Sequence, residues 1–172
     1  MGTRALVTGA NGFVGRAICA SWLASGGSVR ASVRVGSPLI IPGIEVVDDA
    51  LAGSAKCNNI DIVIHCAARA HVLREHSPDP LTEYRRINRD ATIELARAAA
   101  AAGVRCFIFM SSIGVIGNRS EGKPLTESDD PHPQEDYAVS KWEAEQGLQR
   151  VASETGLTVL SLRMPLIYGR NP

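Results

Sequence analysis

Hydrophobic positions along the chain fall into two alternating kinds of segment. Short runs rich in apolar and β-branched residues, at about 3–8, 28–34, 44–48, 60–66, 104–110 and 157–163, read as strands. Between them, stretches at about 12–25, 81–102 and 136–154 carry apolar residues at helical spacing, the middle one ending in the alanine run 98–102 and stopped by Gly103. Buried strands alternating with helices are the rhythm of βαβ units. The expected fold is therefore α/β: a Rossmann-type doubly wound parallel sheet covered on both faces. Two stretches break the rhythm, 69–80 and 114–135, and both follow expected strands. Ligands of open α/β sheets bind beyond the carboxyl ends of the strands, so these loops are where a substrate is expected to meet a cofactor.

Composition narrows the functional classes. A chain of 172 residues, 45% hydrophobic, suffices for one domain with a substantial core but is short for an enzyme that also carries a separate substrate domain. The 18 basic and 18 acidic residues cancel, without a run of five like charges, so neither nucleic acid nor an anionic membrane is an expected partner. The first apolar run ends at Thr8, too soon for a signal peptide or a membrane span, and a cytoplasmic protein is expected. Cys19, Cys57, Cys66 and Cys106 lack CxxC spacing and are read as reduced; no metal site is expected.

Candidate chemistry begins at the first strand-to-helix junction, Thr8-Gly9-Ala10-Asn11-Gly12-Phe13-Val14-Gly15. Glycines at this spacing allow a tight turn, close approach of backbone to a pyrophosphate and close helix packing, while the helix N-terminus offers N–H donors. Gly9, Asn11, Gly12, Phe13, Val14 and Gly15 are therefore expected to bind a dinucleotide. The spacing is Gly-x-x-Gly-x-x-Gly, not the commoner Gly-x-Gly-x-x-Gly. The second strand ends in Arg34 with no acid to hold the ribose hydroxyls of NAD. A guanidinium can grip a 2′-phosphate, so Arg34, and secondarily Arg30, tilts the choice between NADP and NAD toward NADP. After the strand at 60–66, small Ala67 and Ala68 let a ligand lie against the backbone. His65, inside that apolar strand, reads as a packed, hydrogen-bonded residue.

Tyr137 and Lys141, four residues apart on an expected helix, share one face. A phenol that titrates near pH 10 needs help to act as acid or base at neutral pH, and a neighbouring ammonium favours the phenolate. Ser112, at the end of the strand before, can hold a substrate oxygen beside the phenol. Tyr-x-x-x-Lys alone is common by chance; the glycine loop and the serine strand give it weight.

Thr8-Gly-x-x-Gly-x-x-Gly15, Asp61-x-Val-x-His-x-Ala-Ala68, Asn88, Ser111-Ser112, Tyr137-x-x-x-Lys141 and Leu162-Arg163-x-Pro165-x-x-Tyr168-Gly169 together resemble the extended short-chain dehydrogenase/reductases, the NAD-dependent epimerase/dehydratase family. The resemblance covers essentially the whole chain. It implies a pyrophosphate cradled by the three glycines and cofactor contacts from Ala67, Ala68, Asn88 and Pro165. It further implies Tyr137 as general acid/base, Lys141 on the nicotinamide ribose and Ser112 orienting the reacting oxygen. Adenine contacts are implied at Asp48 or Asp49. Within the family, 137–145 and 111–117 look like bacterial UDP-sugar 4-epimerases and 4-ketoreductases of surface-polysaccharide pathways. Ile116 departs from the Val-Tyr-Gly of many members, and Ile113 stands where a 4,6-dehydratase needs an acid.

A nucleotide-sugar is the implied substrate. Family members run well over a hundred residues further, so the substrate-binding domain is expected to be largely absent beyond 172, and the full-length form to be a possible homodimer. A reductase of dihydroflavonol- or steroid-type carbonyls stays open. So does a non-catalytic dinucleotide-binding module, which would have no need of Ser112, Tyr137 and Lys141 together.

Overall fold

In the computed structural model, residues 2–37, 41–49, 53–70, 77–120 and 122–169 are described. Six strands, β1 (Arg4–Thr8), β2 (Ser28–Val33), β3 (Glu45–Asp48), β4 (Ile62–His65), β5 (Cys106–Ser112) and β6 (Thr158–Met164), form one sheet in the order β3-β2-β1-β4-β5-β6. Every pairing is parallel. The order reverses between β1 and β4, where Thr8 lies level with His65 on one side and Ser32 on the other. A crevice opens at such a reversal because the connections leave the two strands toward opposite faces.

Alternation along the strands divides the core. Leu6, Val63, Phe107 and Phe109 point to one face, where Leu95 and Ala99 of α4 (Ala91–Ala101) and Leu148 and Val151 of α5 (Asp136–Thr155) cover them. Ala5, Val7, Ala31 and Ile64 point to the other, under Ile18, Cys19 and Trp22 of α1 (Phe13–Ala24). Both faces of the central strands are therefore apolar, as parallel sheets require. A short helix, α2 (Gly53–Cys57), escaped the sequence reading because five residues hold too little periodicity. Among the described residues, no helix is long and apolar enough to cross a membrane.

One expected helix is broken. Residues 81–102 form α3 (Pro80–Tyr84), a π-helical turn (Arg85–Asp90) and then α4. Asp79 caps α3 by accepting from the Thr82 N–H at 3.1 Å, with Pro80 in the first turn. The widened turn swings Asn88 inward until it is fully buried. Of the expected loop 69–80, residues 71–76 lie outside the described residues. The loop at 114–135 is entered through a 3-10 turn, Ile113–Val115, whose Gly114 N–H donates to Ser112 Oγ at 3.2 Å.

Candidate active site

The turn after β1 is built by contacts that exclude side chains. Gly9 has φ +62°, and a Cβ there would lie 2.8 Å from the nitrogen of Ala67. A Cβ on Gly15 would lie 2.8 Å from Ala10 Cα, so the third glycine lets α1 press against the turn. Gly12 closes the turn by donating its N–H to Gly9 O at 2.9 Å and then serves as the N-cap of α1 without a side chain to offer. The first-turn N–H groups, those of Phe13 and Val14 among them, therefore face outward as donors for an anion.

This turn forms one wall of a cavity of about 750 Å³ along the carboxyl ends of β1, β2 and β4. Of the residues expected to bind cofactor, the cavity brings together Gly9, Asn11, Gly12, Arg34, Ala67 and Ala68. At its far end Asp49, rather than Asp48, forms the wall, held there by its N–H donating to Val33 O at 2.8 Å. Arg30 is not available to a phosphate. Its guanidinium donates to the main-chain oxygens of Lys56 at 2.8 Å and Asn58 at 2.9 Å and pairs with Glu45 at 2.9 Å. The sequence reading missed Lys56, which shares the cavity wall with Arg34 and donates to the Asp49 main-chain oxygen.

At the other side of β4 lie Ser112, Tyr137 and Lys141. Tyr137 sits in the first turn of α5 and Lys141 one turn on, so the ammonium is 5.8 Å from the centre of the phenol ring. Lys141 is 1% exposed; it donates to Met110 O at 2.8 Å and lies 4.5 Å from the centre of the Phe109 ring. Burial pulls its pKa down to about 8. The phenol does not show the expected depression. Burial, and then neighbouring Tyr84 packed edge-on at 6.2 Å, push Tyr137 above the ordinary phenol value. Desolvation sets the direction, while the Lys141 ammonium donates to a carbonyl of β5.

Behind this set is a buried cluster that the sequence reading did not isolate. Ser111 donates to the Glu145 carboxylate, which pairs with Arg163 of β6 at 2.9 Å. Arg163 in turn lies over the Trp142 ring. Glu145 stands one turn beyond Lys141, so the cluster ties the end of β5 to the turn of α5 that carries the ammonium. In the sequence, Ser111, Glu145 and Arg163 stand in separate motifs of the resembled family, and nothing local pairs them.

Two further polar residues are buried at the cavity, His65 in its lining and Asn88 outside it. His65 is buried between the hydroxyls of Thr8 at 2.6 Å and Thr92 at 2.9 Å, as its apolar setting suggested, and burial drives its pKa down to about 3. Asn88 also has partners within the protein. Its side-chain oxygen accepts from the Arg69 N–H at 2.8 Å, and its NH₂ donates to Arg69 O and Ser140 Oγ, both at 3.1 Å. Fully buried, that amide ties the loop after β4 to α5. Pro165 is exposed just after β6.

Comparison with known proteins places this geometry. Residues 5–172 match the NAD dependent epimerase/dehydratase family. A UDP-glucose 4-epimerase of Vibrio cholerae is 37% identical over 169 residues, 95% of this chain and 52% of that protein. Among solved structures, MoeE5 in complex with UDP-glucuronic acid and NAD is 32% identical with a TM-score of 0.82, covering 93% of this chain and 54% of that one. The UDP-glucose 4-epimerase of Thermus thermophilus in complex with NAD is 28% identical with a TM-score of 0.82, covering 94% and 54% respectively. The chain thus spans about half the length of the relatives it matches. With its six-stranded parallel sheet and glycine turn, it belongs to the NAD dependent epimerase/dehydratase family.

Proposed function

We propose that this chain provides the dinucleotide-binding and proton-transfer part of an enzyme that oxidises and reduces C4 of a UDP-hexose. The observation that carries this reading is that Ser112 ends β5, and that Lys141, one turn of α5 beyond Tyr137, bonds to Met110 O of that same strand, in the sheet whose glycine turn opens the 750 Å³ cavity. The turn suits a pyrophosphate: Gly9 and Gly15 leave no room for a Cβ, and the uncapped start of α1 offers N–H donors. A bound nicotinamide would supply the hydride acceptor and donor.

The chain's own residues do the rest. Tyr137 takes the proton of the sugar hydroxyl as C4 is oxidised and returns it on reduction. Its phenol, raised by burial, needs a cation close by, and Lys141 on the same face of α5 is that cation. Gly9, Asn11, Gly12, Phe13, Val14, Gly15, Ala67 and Ala68 hold the dinucleotide, with Asp48 or, better placed, Asp49 toward the adenine. Ser112 orients the reacting oxygen.

NAD is the carrier in the solved relatives. Arg34 and Lys56 in the cavity wall favour NADP as a second reading, since two cations there suit a 2′-phosphate. Residues 1–172 are read as the Rossmann part of a longer cytoplasmic enzyme, sugar choice and any homodimer contacts belonging largely to the half of the relatives that has no counterpart here.

Titration of the purified chain with NADH and NADPH, followed by nucleotide fluorescence, tests the site. Saturable binding abolished by Gly15→Ala supports it, and absence of binding to the unaltered chain refutes it. For the chemistry, Tyr137→Phe in an enzyme assembled with a complete substrate domain retains dinucleotide and loses UDP-glucose turnover; undiminished turnover refutes the role.

A further inference from the structure

Four hydrogen bonds run in a single direction through the centre of the sheet. The main-chain oxygen of Asn88 has no proton to give, so the Thr92 hydroxyl, 2.7 Å away, donates to it. Its one proton committed there, Thr92 Oγ1 can only accept from His65 Nε2 at 2.9 Å. Nε2 therefore carries the ring proton. In a neutral ring Nδ1 is then bare, and it accepts from the Thr8 hydroxyl at 2.6 Å. Thr8 Oγ1 in turn accepts from the Ala67 N–H at 3.2 Å.

A doubly protonated His65 would break this order. It would leave the Thr8 proton without an acceptor, and it would set a second cation against the Phe109 ring, on which His65 stacks at 6.0 Å and Lys141 Nζ rests at 4.5 Å. From Asn88 the connection continues to Ser140 Oγ at 3.1 Å, and Ser140 donates to the main-chain oxygen of Tyr137 at 2.7 Å. Ala67, at the head of the series, lies against Gly9 in the cavity wall.

We propose that His65 is a positioning residue: held neutral and protonated at Nε2, it fixes the turn after β1, the Ala67 amide and the Asn88 turn in one register, joining the cavity to the backbone that carries Tyr137. No atom of His65 need touch a reacting group. The residue acts through Thr8 on one side and Thr92 on the other, and the shape of the ring, with two nitrogens on opposite edges, is what lets one side chain span both. The consequence for dinucleotide binding rests on the cavity being the dinucleotide site; the register itself does not.

Two measurements on the 172-residue chain separate these. First, ¹⁵N NMR without ligand should show His65 protonated at Nε2 and bare at Nδ1 through neutral pH. Thr92→Val should then move the amide resonance of Ala67, which Thr92 does not touch, and Thr92→Ser should restore it. Second, NAD titrations of Thr8→Val, Thr92→Val and the double variant should show each single change weakening binding about five-fold, the loss expected for one neutral hydrogen bond. The double should be no weaker than either single, because one series is being cut twice. Circular dichroism confirms that each near-isosteric variant is folded. A cationic or Nδ1-protonated ring, an unmoved Ala67 amide, or losses that multiply in the double variant would each overturn the proposal. A chain that passes the NMR test yet binds no NAD supports the register and overturns the cofactor reading instead.

Discussion

Lys141 donates from Nζ to the main-chain oxygen of Met110 at 2.8 Å, its one hydrogen-bond acceptor among the described residues, though a buried ammonium has three protons to place. Burial holds its pKa at about 8 against 10.5 for the ordinary side chain. Below pH 8 the folded and unfolded chains both carry the proton, and the fold bears the full cost of the buried cation. Between the two values only the folded chain has released it, so stability should rise with pH across that window, by something on the order of 3 kcal/mol. Urea midpoints measured from pH 7 to pH 10 should show this rise. Lys141→Met should flatten it and be the more stable protein at pH 7; a Lys141→Met chain with the same rise would show that another group is responsible.

Glu145 and Arg163 should be stable only as a pair. Their side chains are 8% and 19% exposed, so removing one leaves a charge with little access to water. Glu145→Leu or Arg163→Met alone should cost about 3 kcal/mol, whereas the combined variant, an apolar pair of similar volume, should recover most of that loss. Chemical denaturation of the three variants tests the non-additivity, and purely additive losses would count against the pair.

Most of the sheet was legible because strands buried on both faces spell nearly continuous apolar runs: Ala5, Leu6 and Val7 of β1 are all fully buried, and the expected boundaries fall within two residues of the six observed strands. The helix at 81–102 was misread for a physical reason. Its apolar periodicity is real, but an α-helix would have kept Asn88 on a regular face, and the bonds from Asn88 to Arg69 and Ser140 outweigh regularity and widen the turn. Partners 19 and 52 residues away leave no local trace. The same holds for Arg30: its position on β2 suggested a phosphate ligand, and only the tertiary structure shows it filled by carbonyls around α2. Tyr137, Lys141 and Ser112 were singled out through spacing and strand order, whereas the rise of the Tyr137 pKa comes from burial and then from packing against Tyr84, and could not be read.

Gly15→Ala should separate backbone approach from simple flexibility. Gly15 lies inside α1, where alanine is otherwise the better helix former, yet its added carbon would lie 2.8 Å from Ala10 Cα and closer still to the main chain of Gly9. The clash should win, lowering stability by about 2 kcal/mol and displacing the turn enough to abolish NADH binding. A thermal melt that rises, as helix propensity alone predicts, would contradict the close approach.

Arg34→Ala tests the end of the cavity beyond β2. If a 2′-phosphate lies there, the variant should lose roughly ten-fold in affinity for NADPH, the weight of one charge-assisted contact, and retain its affinity for NADH. Lys56→Met should act in the same direction. Equal losses for both nucleotides, or none, would point to NAD as the resident carrier, with Asp49 in the same wall facing the ribose hydroxyls.

His65 should govern part of the acid limb of stability. Its folded pKa is about 3 and its ordinary value 6.5. Above 6.5 neither state binds the proton; as the pH falls below it the unfolded chain takes one up and the folded chain refuses it, so stability is lost by about 1.4 kcal/mol per pH unit once the unfolded ring is charged. The cleanest window is pH 6.5 to 5, before the carboxylates titrate. Across it the urea midpoint should fall for the wild-type chain and stay nearly level for His65→Gln, which keeps a donor and an acceptor without a titrating ring. Should the glutamine variant not fold, ¹H NMR still decides the matter: the His65 ring resonances should stay fixed from pH 6.5 down to 5. A His65 ring that titrates near pH 6 would mean that the centre of the sheet admits a charge, and the acid limb would then need another source.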